Sequence, residues 1–307
     1  MDRRTFLMKS ALAAAAMAVP GRRLMANTLQ PSQGTFKALR RNTGYFTEMG
    51  GTIGWLAAPD ALLAIDSQFP QSAPHCLEGL QQRSDHAVDL LINTHHHRDH
   101  TGGNGVFSKV TDTIVAQQNV PKLQKEAYAD NDELPPQTYP NKLFEKEWSV
   151  DVGDETLRAR HYGPAHTGGD AVILLEKANV VHMGDLVFNR WYPVIDRPGG
   201  ASIRNWVTTL ETVIRDYPDD ALYIYGHGNP KFGVSGKKED LGVMRDYLSH
   251  LLDTVQKDLQ AGKSKEEIMD RESFKQFPDF TAPSKRLTLA YNLEVAYNEL
   301  TNAKREG

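Results

Sequence analysis

A dense group of histidines follows directly on a short apolar run near residue 90. The run, residues 88–92, is predicted to form a buried strand, and the sequence HHHRDH occupies residues 95–100 just beyond it. An extended strand alternates its side chains between two faces, whereas a tight loop at its end turns several of them toward one point. Imidazole and carboxylate are the usual zinc ligands other than thiolate. Read as H-x-H-x-D-H, the segment offers His95, His97, Asp99 and His100 as ligands, a supply that indicates two metal ions.

Three later segments end predicted strands in the same way. His166 lies in a glycine-rich loop at residues 162–169, Asp185 follows Gly184, and His227 stands between two glycines. Glycine lets the backbone approach a crowded site, because it has no Cβ. We therefore expect these three side chains to join the histidine group. His96 is expected to face away from its neighbours and to pack locally.

The order of these motifs resembles the metallo-β-lactamase fold superfamily. The likeness covers most of residues 40–230. It implies an α/β fold, a four-layered αβ/βα sandwich with its site at one edge, where the strand ends meet. It also implies two zinc ions: His95, His97 and His166 would hold the first, Asp99, His100 and His227 the second, and Asp185 would bridge them.

Strands and helices are mixed along the chain, which favours layered α/β architecture over a helical bundle. Ser202 is predicted to cap a helix that runs to about residue 217. The C-terminal third is predicted to be helical, with apolar residues three or four apart from Asp240 onward and a last helix over residues 284–304. Ser264 begins a capping-box pattern, Ser-x-x-Glu.

The first 26 residues have the composition of an export signal. Two arginines, Arg3 and Arg4, precede a nine-residue apolar run at 11–19, and a small-residue cleavage pattern ends at Ala26. The paired arginines resemble the bacterial twin-arginine signal. Nine apolar residues are too few for a stable membrane span, which needs about 20. We therefore expect residues 1–26 to be an export signal peptide, residues 27–307 to form one catalytic domain, and the protein to be periplasmic or secreted.

Net charge argues against a nucleic-acid partner. The 307 residues carry a formal charge of -4, and the segment 1–26 carries +4, so the chain from residue 27 carries -8. An acidic surface repels a phosphate backbone. A small-molecule substrate is the expected partner, and the sequence does not fix the oligomeric state.

The ligand types suggest a reaction class. Histidine and carboxylate suit zinc, with iron or manganese as alternatives. Zinc lowers the pKa of bound water to about 7, and a hydroxide held between two ions would attack a carbonyl carbon of an ester, lactone, thioester or amide. Asp99 would be the catalytic residue, orienting the nucleophile and taking its proton. The chain has no Gly-x-Ser-x-Gly motif of a serine hydrolase.

Two alternatives to that activity remain open at this level. One is β-lactamase-like hydrolysis of β-lactams; the other is an exported metal-binding protein without turnover. An aspartate at residue 185 looks more like the thioester hydrolases of the glyoxalase II type and the lactonases, since true zinc β-lactamases usually carry Cys or Ser there. Loop residues near the expected site are predicted to contact the substrate, namely Asn189, Tyr192 and Lys231.

Overall fold

The computed structural model describes residues 34–128 and 136–302. The predicted signal at 1–26 lies outside these residues, as does the stretch 129–135. The strands of the described part are β1 Thr35–Ala38, β2 Thr43–Thr47, β3 Ile53–Ala58, β4 Ala61–Ile65, β5 Leu90–Ile92, β6 Ile114–Gln117, β7 Lys142–Phe144, β8 Glu147–Val152, β9 Glu155–Arg160, β10 Val172–Leu175, β11 Val180–His182, β12 Phe188–Asn189, β13 Leu222–Ile224, β14 His227–Gly228 and β15 Ser235–Gly236. Its helices are α1 Ala73–Gln81, α2 Arg98–Thr101, α3 Asn104–Phe107, α4 Val120–Tyr128, α5 Ile203–Asp216, α6 Lys238–Gln260, α7 Lys265–Met269 and α8 Leu289–Asn302.

Most of the strands form two mixed sheets. In the first sheet β1 to β7 lie side by side in chain order. Its first four strands pair antiparallel and its later strands, from β4 to β7, pair parallel. The second sheet has the order β15-β13-β11-β10-β9-β8, with one parallel pair between β11 and β13. Parallel neighbours bring the ends of several strands to the same edge of a sheet.

Alternating side chains on β3 and β4 build two different cores. Leu56 and Leu63 pack between the two sheets, whereas Trp55 and Leu62 pack on the outer face of the first sheet against α1 and α3. This is the period of two expected of strands that are covered on both faces. A third core lies between the second sheet and helices α5, α6 and α8. The order helix, sheet, sheet, helix confirms the predicted αβ/βα sandwich with C-terminal helices.

The C-terminal helices follow the sequence pattern with shifted ends. The Ser202 side chain accepts a hydrogen bond from Asn205 N, and α5 begins at the next residue, as predicted. The capping box at Ser264 is also present. The last helix starts five residues later than predicted. Residues 284–288 form a bend in which Ser284 Oγ accepts hydrogen bonds from Arg286 N and Leu287 N. The helix starts only after Thr288, whose hydroxyl accepts from Tyr291 N.

Strand ends from both sheets meet at one edge of the sandwich. Asp66 follows β4 and His95 follows β5 in the first sheet, while Asp185 follows β11 and His227 lies beyond β13 in the second. Two hydrogen bonds from Thr52, through its amide and its hydroxyl, to the Gly226 carbonyl join the two sheets close to this edge. Among residues 34–128 and 136–302, no helix combines the length and the apolar character that crossing a membrane requires.

Candidate metal centre

The first group of predicted ligands comes together at this edge. The donor atoms of His95, His97, His166 and Asp185 lie within 4.8 Å of one another. His166 Nε2 is 3.0 Å from His97 Nδ1 and 3.5 Å from Asp185 Oδ2. The ring of His166 is fixed by contacts with Phe188 and Trp206. Side chains from three different loops therefore converge on one small volume.

The second group lies directly beside the first. Asp99 Oδ2 is 3.0 Å from His227 Nε2 and 3.7 Å from His100 Nε2. Asp185 also reaches this group, with Oδ1 3.1 Å from His100 Nε2 and Oδ2 3.4 Å from His227 Nε2. One buried carboxylate thus lies between two sets of imidazoles, as predicted for a bridging ligand.

Hydrogen bonds on the outer side of each ring show which nitrogen faces inward with a free lone pair. His166 Nδ1 lies 2.9 Å from the Val194 carbonyl, to which it must donate, and His97 Nε2 donates to the Asp196 carboxylate at 3.0 Å. In neutral rings the two inward nitrogens, only 3.0 Å apart, then present lone pairs to each other. Such an arrangement needs a proton or a cation between the two atoms.

The outer nitrogen of His95 is held in the same way, by the hydroxyl of a threonine. Thr94 Oγ1 donates to Asp66 Oδ2, so it accepts from His95 Nδ1 at 3.0 Å. The inward Nε2 of His95 is buried and has no hydrogen-bond partner. Buried polar atoms are rarely left unpaired, and an imidazole whose outer nitrogen is held in this way is the usual state of a metal ligand. The residues present therefore fit a bound metal.

Two carboxylates that the sequence reasoning missed hold the ligands in place. Asp66 accepts hydrogen bonds from His100 Nδ1, Thr94 N and Thr94 Oγ1, each at 2.7 Å. Its backbone has a φ of +68°, a conformation uncommon for a residue other than glycine. Asp196 accepts from His97, and its Oδ2 lies 3.3 Å from Nε2 of the buried His96. Asp66 had a usable signal, because it too directly follows an apolar strand.

Burial and neighbouring charge divide the site into two electrostatic halves. Burial lowers the pKa of His166 to about 3, with help from His97, so this ring is neutral. Burial also opposes a charge on His227, but Asp185 and Asp99 raise its pKa to about 10. Although burial works to raise the pKa of Asp185, the imidazoles around it, His227 first, hold it well below its usual range. The second half thus favours bound positive charge, and the first offers free lone pairs.

Two glycines, Gly184 and Gly226, allow close packing around Thr94 and Asp185. Gly184 has a φ of +51°, and a Cβ there would stand 2.7 Å from Thr94 Oγ1. A Cβ at Gly226 would collide with Asp185 Oδ1. Both positions therefore require glycine, which agrees with the close approach expected from the sequence.

The side chains of the three predicted substrate-binding residues are engaged in contacts with other parts of the chain. Asn189 is buried and donates to the Phe232 and Gly233 carbonyls. Tyr192 packs against aromatic rings of the C-terminal helical region. Lys231 pairs with Asp279 at 3.0 Å, and 70% of its side chain is exposed. Their contact with a substrate stays a prediction.

Comparison with known proteins decides the family. Residues 55–227, more than half of the chain, match the family described as the metallo-beta-lactamase superfamily. The chain belongs to the metallo-beta-lactamase superfamily. As a member, it is a metal-dependent hydrolase, and the resemblance on which the sequence analysis relied is confirmed.

Relatives of this superfamily member share only part of their length with it. An uncharacterized protein of Aquifex aeolicus (strain VF5) is 28% identical over 162 residues, which are 48% of this chain and 72% of that protein. A protein of Methanocaldococcus jannaschii named as a probable metallo-hydrolase is 29% identical over 167 residues, 50% of this chain and 75% of the relative.

Solved structures of the superfamily share the fold at low identity. A metallo-beta-lactamase from Pontibacter korlensis is 15% identical with a TM-score of 0.58, and the match covers 70% of this chain and 99% of that one. A stereoselective inverting sec-alkylsulfatase from Pseudomonas sp. is 15% identical with a TM-score of 0.67, covering 86% of this chain. The chain spans half the length of that sulfatase. At such identity these likenesses describe the fold alone.

Proposed function

We propose that the protein is an exported hydrolase with two zinc ions that cleaves a small carbonyl substrate, namely an ester, lactone, thioester or amide. One observation carries the proposal. The Asp185 carboxylate lies between 3.1 and 3.8 Å from ring nitrogens of four histidines, two in each donor group: His95, His100, His166 and His227. A carboxylate shared by two complete ligand sets supports two ions rather than one.

The exposure of the ligands supports catalysis over structural metal binding. Most donor side chains are fully buried, but Asp99 is 25% exposed and His97 and His227 are each 16% exposed. These three donors are therefore partly accessible to solvent. A structural zinc site is closed by four protein ligands, whereas a catalytic site keeps a position open for water or substrate.

Different residues of the chain have different roles in the proposed reaction. Bound at these ligands, zinc would supply an activated water with a pKa of about 7 and a Lewis acid for the carbonyl oxygen. Asp99, with its Oδ2 beside His227 and part of its side chain exposed, is placed to accept a hydrogen bond from that water and to orient it. Thr94, Asp66 and Asp196 hold the imidazoles in the orientation that presents their lone pairs.

Metal analysis with a substrate panel tests the proposal. We expect the purified chain to hold about two zinc ions per molecule by mass spectrometry of the metal content, and Asp185→Asn to hold fewer. The panel contains an aryl ester, a lactone, a thioester, an amide, a β-lactam and a secondary alkyl sulfate. Turnover of carbonyl substrates that stops with chelator and returns with zinc supports the proposal. Turnover of the β-lactam alone would instead indicate a β-lactamase, and turnover of the sulfate alone would indicate a sulfatase.

Replacing Asp99 tests its role in catalysis at the second donor group. In Asp99→Asn we expect kcat to fall by about 100-fold or more, the range that general acid–base groups contribute, while the first donor group keeps its metal. Thr208→Ala, on an exposed face of α5, serves as the control. Wild-type kcat in Asp99→Asn with its full metal content would remove Asp99 from the mechanism.

Export is a separate part of the proposal, supported by the basic and apolar pattern of residues 1–26. Cell fractionation of a bacterial host tests it. We expect wild-type protein in the periplasm and the variant with Arg3→Lys and Arg4→Lys in the cytoplasm, since that route reads the arginine pair. Equal periplasmic amounts of both would contradict the twin-arginine route.

A further inference from the structure

A cavity of about 550 Å³ adjoins the metal centre. His97 belongs to both, because its Nδ1 faces His166 while its Nε2 faces Asp196, which also lines the cavity. The volume lies within the range of about 300–1,000 Å³ that is usual for small-molecule sites. His97 is partly exposed, and we expect a molecule bound at the centre to reach this space past its ring.

Part of the cavity wall comes from outside the residues that match the family. Helix α8 contributes Tyr291 and Val295, and it lies beyond residues 55–227, where the match to the superfamily ends. The Tyr291 hydroxyl donates to the Ile195 carbonyl at 3.1 Å, which ties α8 to the loop that carries Asp196. The shape of the cavity thus depends on a helix outside residues 55–227, the part of the chain that matches the family.

The lining is mostly apolar, and its charges are already paired. The apolar side chains are Ala127, Val194, Ile195, Pro198 and Val295, with the rings of Tyr128 and Tyr291 beside them. Arg197, the one arginine or lysine among the described lining residues, pairs with Glu299 at 3.1 Å. Glu294 pairs with Lys265 at 2.6 Å. An anionic group would find no free cation in this lining, whereas an apolar group would be removed from water.

We propose that this cavity binds an uncharged, apolar chain of the substrate while the scissile carbonyl lies at the metal centre. The inference rests on the proposed function and narrows it to carbonyl compounds that carry an aliphatic chain. Each methylene group buried on binding contributes about a fourfold gain in affinity. Activity is then expected to rise with chain length until the cavity is full.

Filling the cavity tests the proposal. Ala127 is exposed at its rim on α4, so Ala127→Trp reduces the space without disturbing the core. Lys125→Trp places the same ring on an exposed residue of the same helix that is not part of the lining. The readout is the ratio of kcat/KM for octanoyl and acetyl esters, measured on the zinc-loaded chain, with a parallel series that varies the alcohol chain.

We expect the wild-type ratio to favour the longer chain in at least one series. Ala127→Trp should lower that ratio by roughly tenfold, the effect of losing about two buried methylene groups, and Lys125→Trp should leave it at the wild-type value. Ratios that are the same in all three proteins would overturn the proposal. Equal loss in both tryptophan variants would also overturn it, since the effect would then not depend on the cavity.

A binding measurement keeps this test apart from the proposed function. Octanol has no scissile carbonyl, so calorimetric titration of the full-length chain with octanol reports on the cavity even if no ester is hydrolysed. We expect binding to wild type and Lys125→Trp, and at least tenfold weaker binding to Ala127→Trp. Octanol binding without turnover of any ester, lactone, thioester or amide would leave the cavity as an apolar site and refute the carbonyl hydrolase. Ester turnover without octanol binding would refute the cavity alone.

Discussion

Asp196 fixes the orientation of the His97 ring through the ring nitrogen that faces away from the other donors. Its Oδ2 accepts from His97 Nε2 at 3.0 Å, and its Oδ1 accepts from Gly199 N at 3.0 Å. The amide of Gly199 thus fixes the carboxylate, and the carboxylate fixes the ring. Without a charged acceptor at this place, the imidazole would lose both its preferred tautomer and its preferred rotamer.

We therefore predict that Asp196→Asn weakens zinc binding by about 10- to 100-fold, the usual effect of removing such an outer partner. The affinity is measured by competition with a chromogenic chelator. Asp216→Asn, which removes an exposed carboxylate at the end of α5, should bind zinc as the wild type does. An unchanged affinity in Asp196→Asn would show that the packing of His97 alone fixes its ring.

Asp170 makes the stability of the metal-free chain depend on pH. Burial raises the pKa of this carboxyl to about 7, although Thr167 donates to it from its amide and its hydroxyl. Because the folded pKa exceeds the unfolded value, its contribution to stability is complete below about pH 4 and is lost as the pH rises through about 7. In Asp170→Asn we expect Tm, relative to wild type, to be higher at pH 8 than at pH 5. Thermal melts at both pH values check this, with the exposed Asp112→Asn as control; a constant difference would contradict it.

The residues that sequence reasoning found and those it missed differ in how they act. His95, His97, Asp99 and His100 share one short segment, so their spacing alone indicates a metal site. Asp66 and Asp196 act through contacts 28 to 99 residues away in the chain. No local pattern encodes such a distance. Asp66 could have been predicted from its place at the end of a strand, but nothing in the sequence around Asp196 distinguishes it from other loop aspartates.

At the level of elements, the N-terminus of α5 is stabilised from another helix. Glu299, on α8, accepts hydrogen bonds from Ile203 N at 3.0 Å and from Arg204 N at 3.2 Å. These are amides of the first turn, which have no partner within their own helix. A carboxylate there also interacts favourably with the helix dipole. The contact joins α5, whose Trp206 packs against His166, to the C-terminal helix.

Removing this contact should lower stability. We expect Glu299→Ala to reduce the free energy of unfolding by about 1–3 kcal/mol, because the buried Ile203 amide and the partly buried Arg204 amide lose a charged acceptor. Glu299→Gln, which keeps one acceptor oxygen, should lose less. Denaturant melts measure the effect, with Glu211→Ala on the exposed face of α5 as the control. Equal stability of Glu299→Ala and Glu211→Ala would mean that water replaces the carboxylate at no cost.

Element positions were predictable where the hydrophobic period is strong. The strand before His95 and the long helix α6 both appear where their apolar patterns place them. The predicted start of α8 was wrong by five residues. The hydroxyl groups of Ser284 and Thr288 each accept a hydrogen bond from the amide three residues later, so both residues have the pattern of a helix start. The sequence alone does not show which of these two residues directly precedes the helix.

At the scale of the whole molecule, the metal centre connects the two sheets. Its donors follow strands of the first sheet at His95, and strands of the second at Asp185 and His227. Metal bound to both sets adds to the sheet-to-sheet core and is lost on unfolding. The fold itself was predictable because four motifs in a fixed order resemble one family. The cavity beside His97 was not, because α8 lies outside residues 55–227, which match the family.

We therefore predict that zinc raises the stability of the entire fold. A ligand present at 100 times its dissociation constant adds about 2.7 kcal/mol if it binds only the folded state, which corresponds to a Tm increase of several degrees for a chain of this size. Scanning calorimetry of the chain with chelator and with added zinc measures the shift. Asp185→Asn should show a smaller shift, since it weakens the one carboxylate that faces both donor groups.

A single transition that moves with zinc is expected because the ligands span both sheets. If only part of the transition moved, the two sheets would unfold separately, and the metal would stabilise one of them rather than join them.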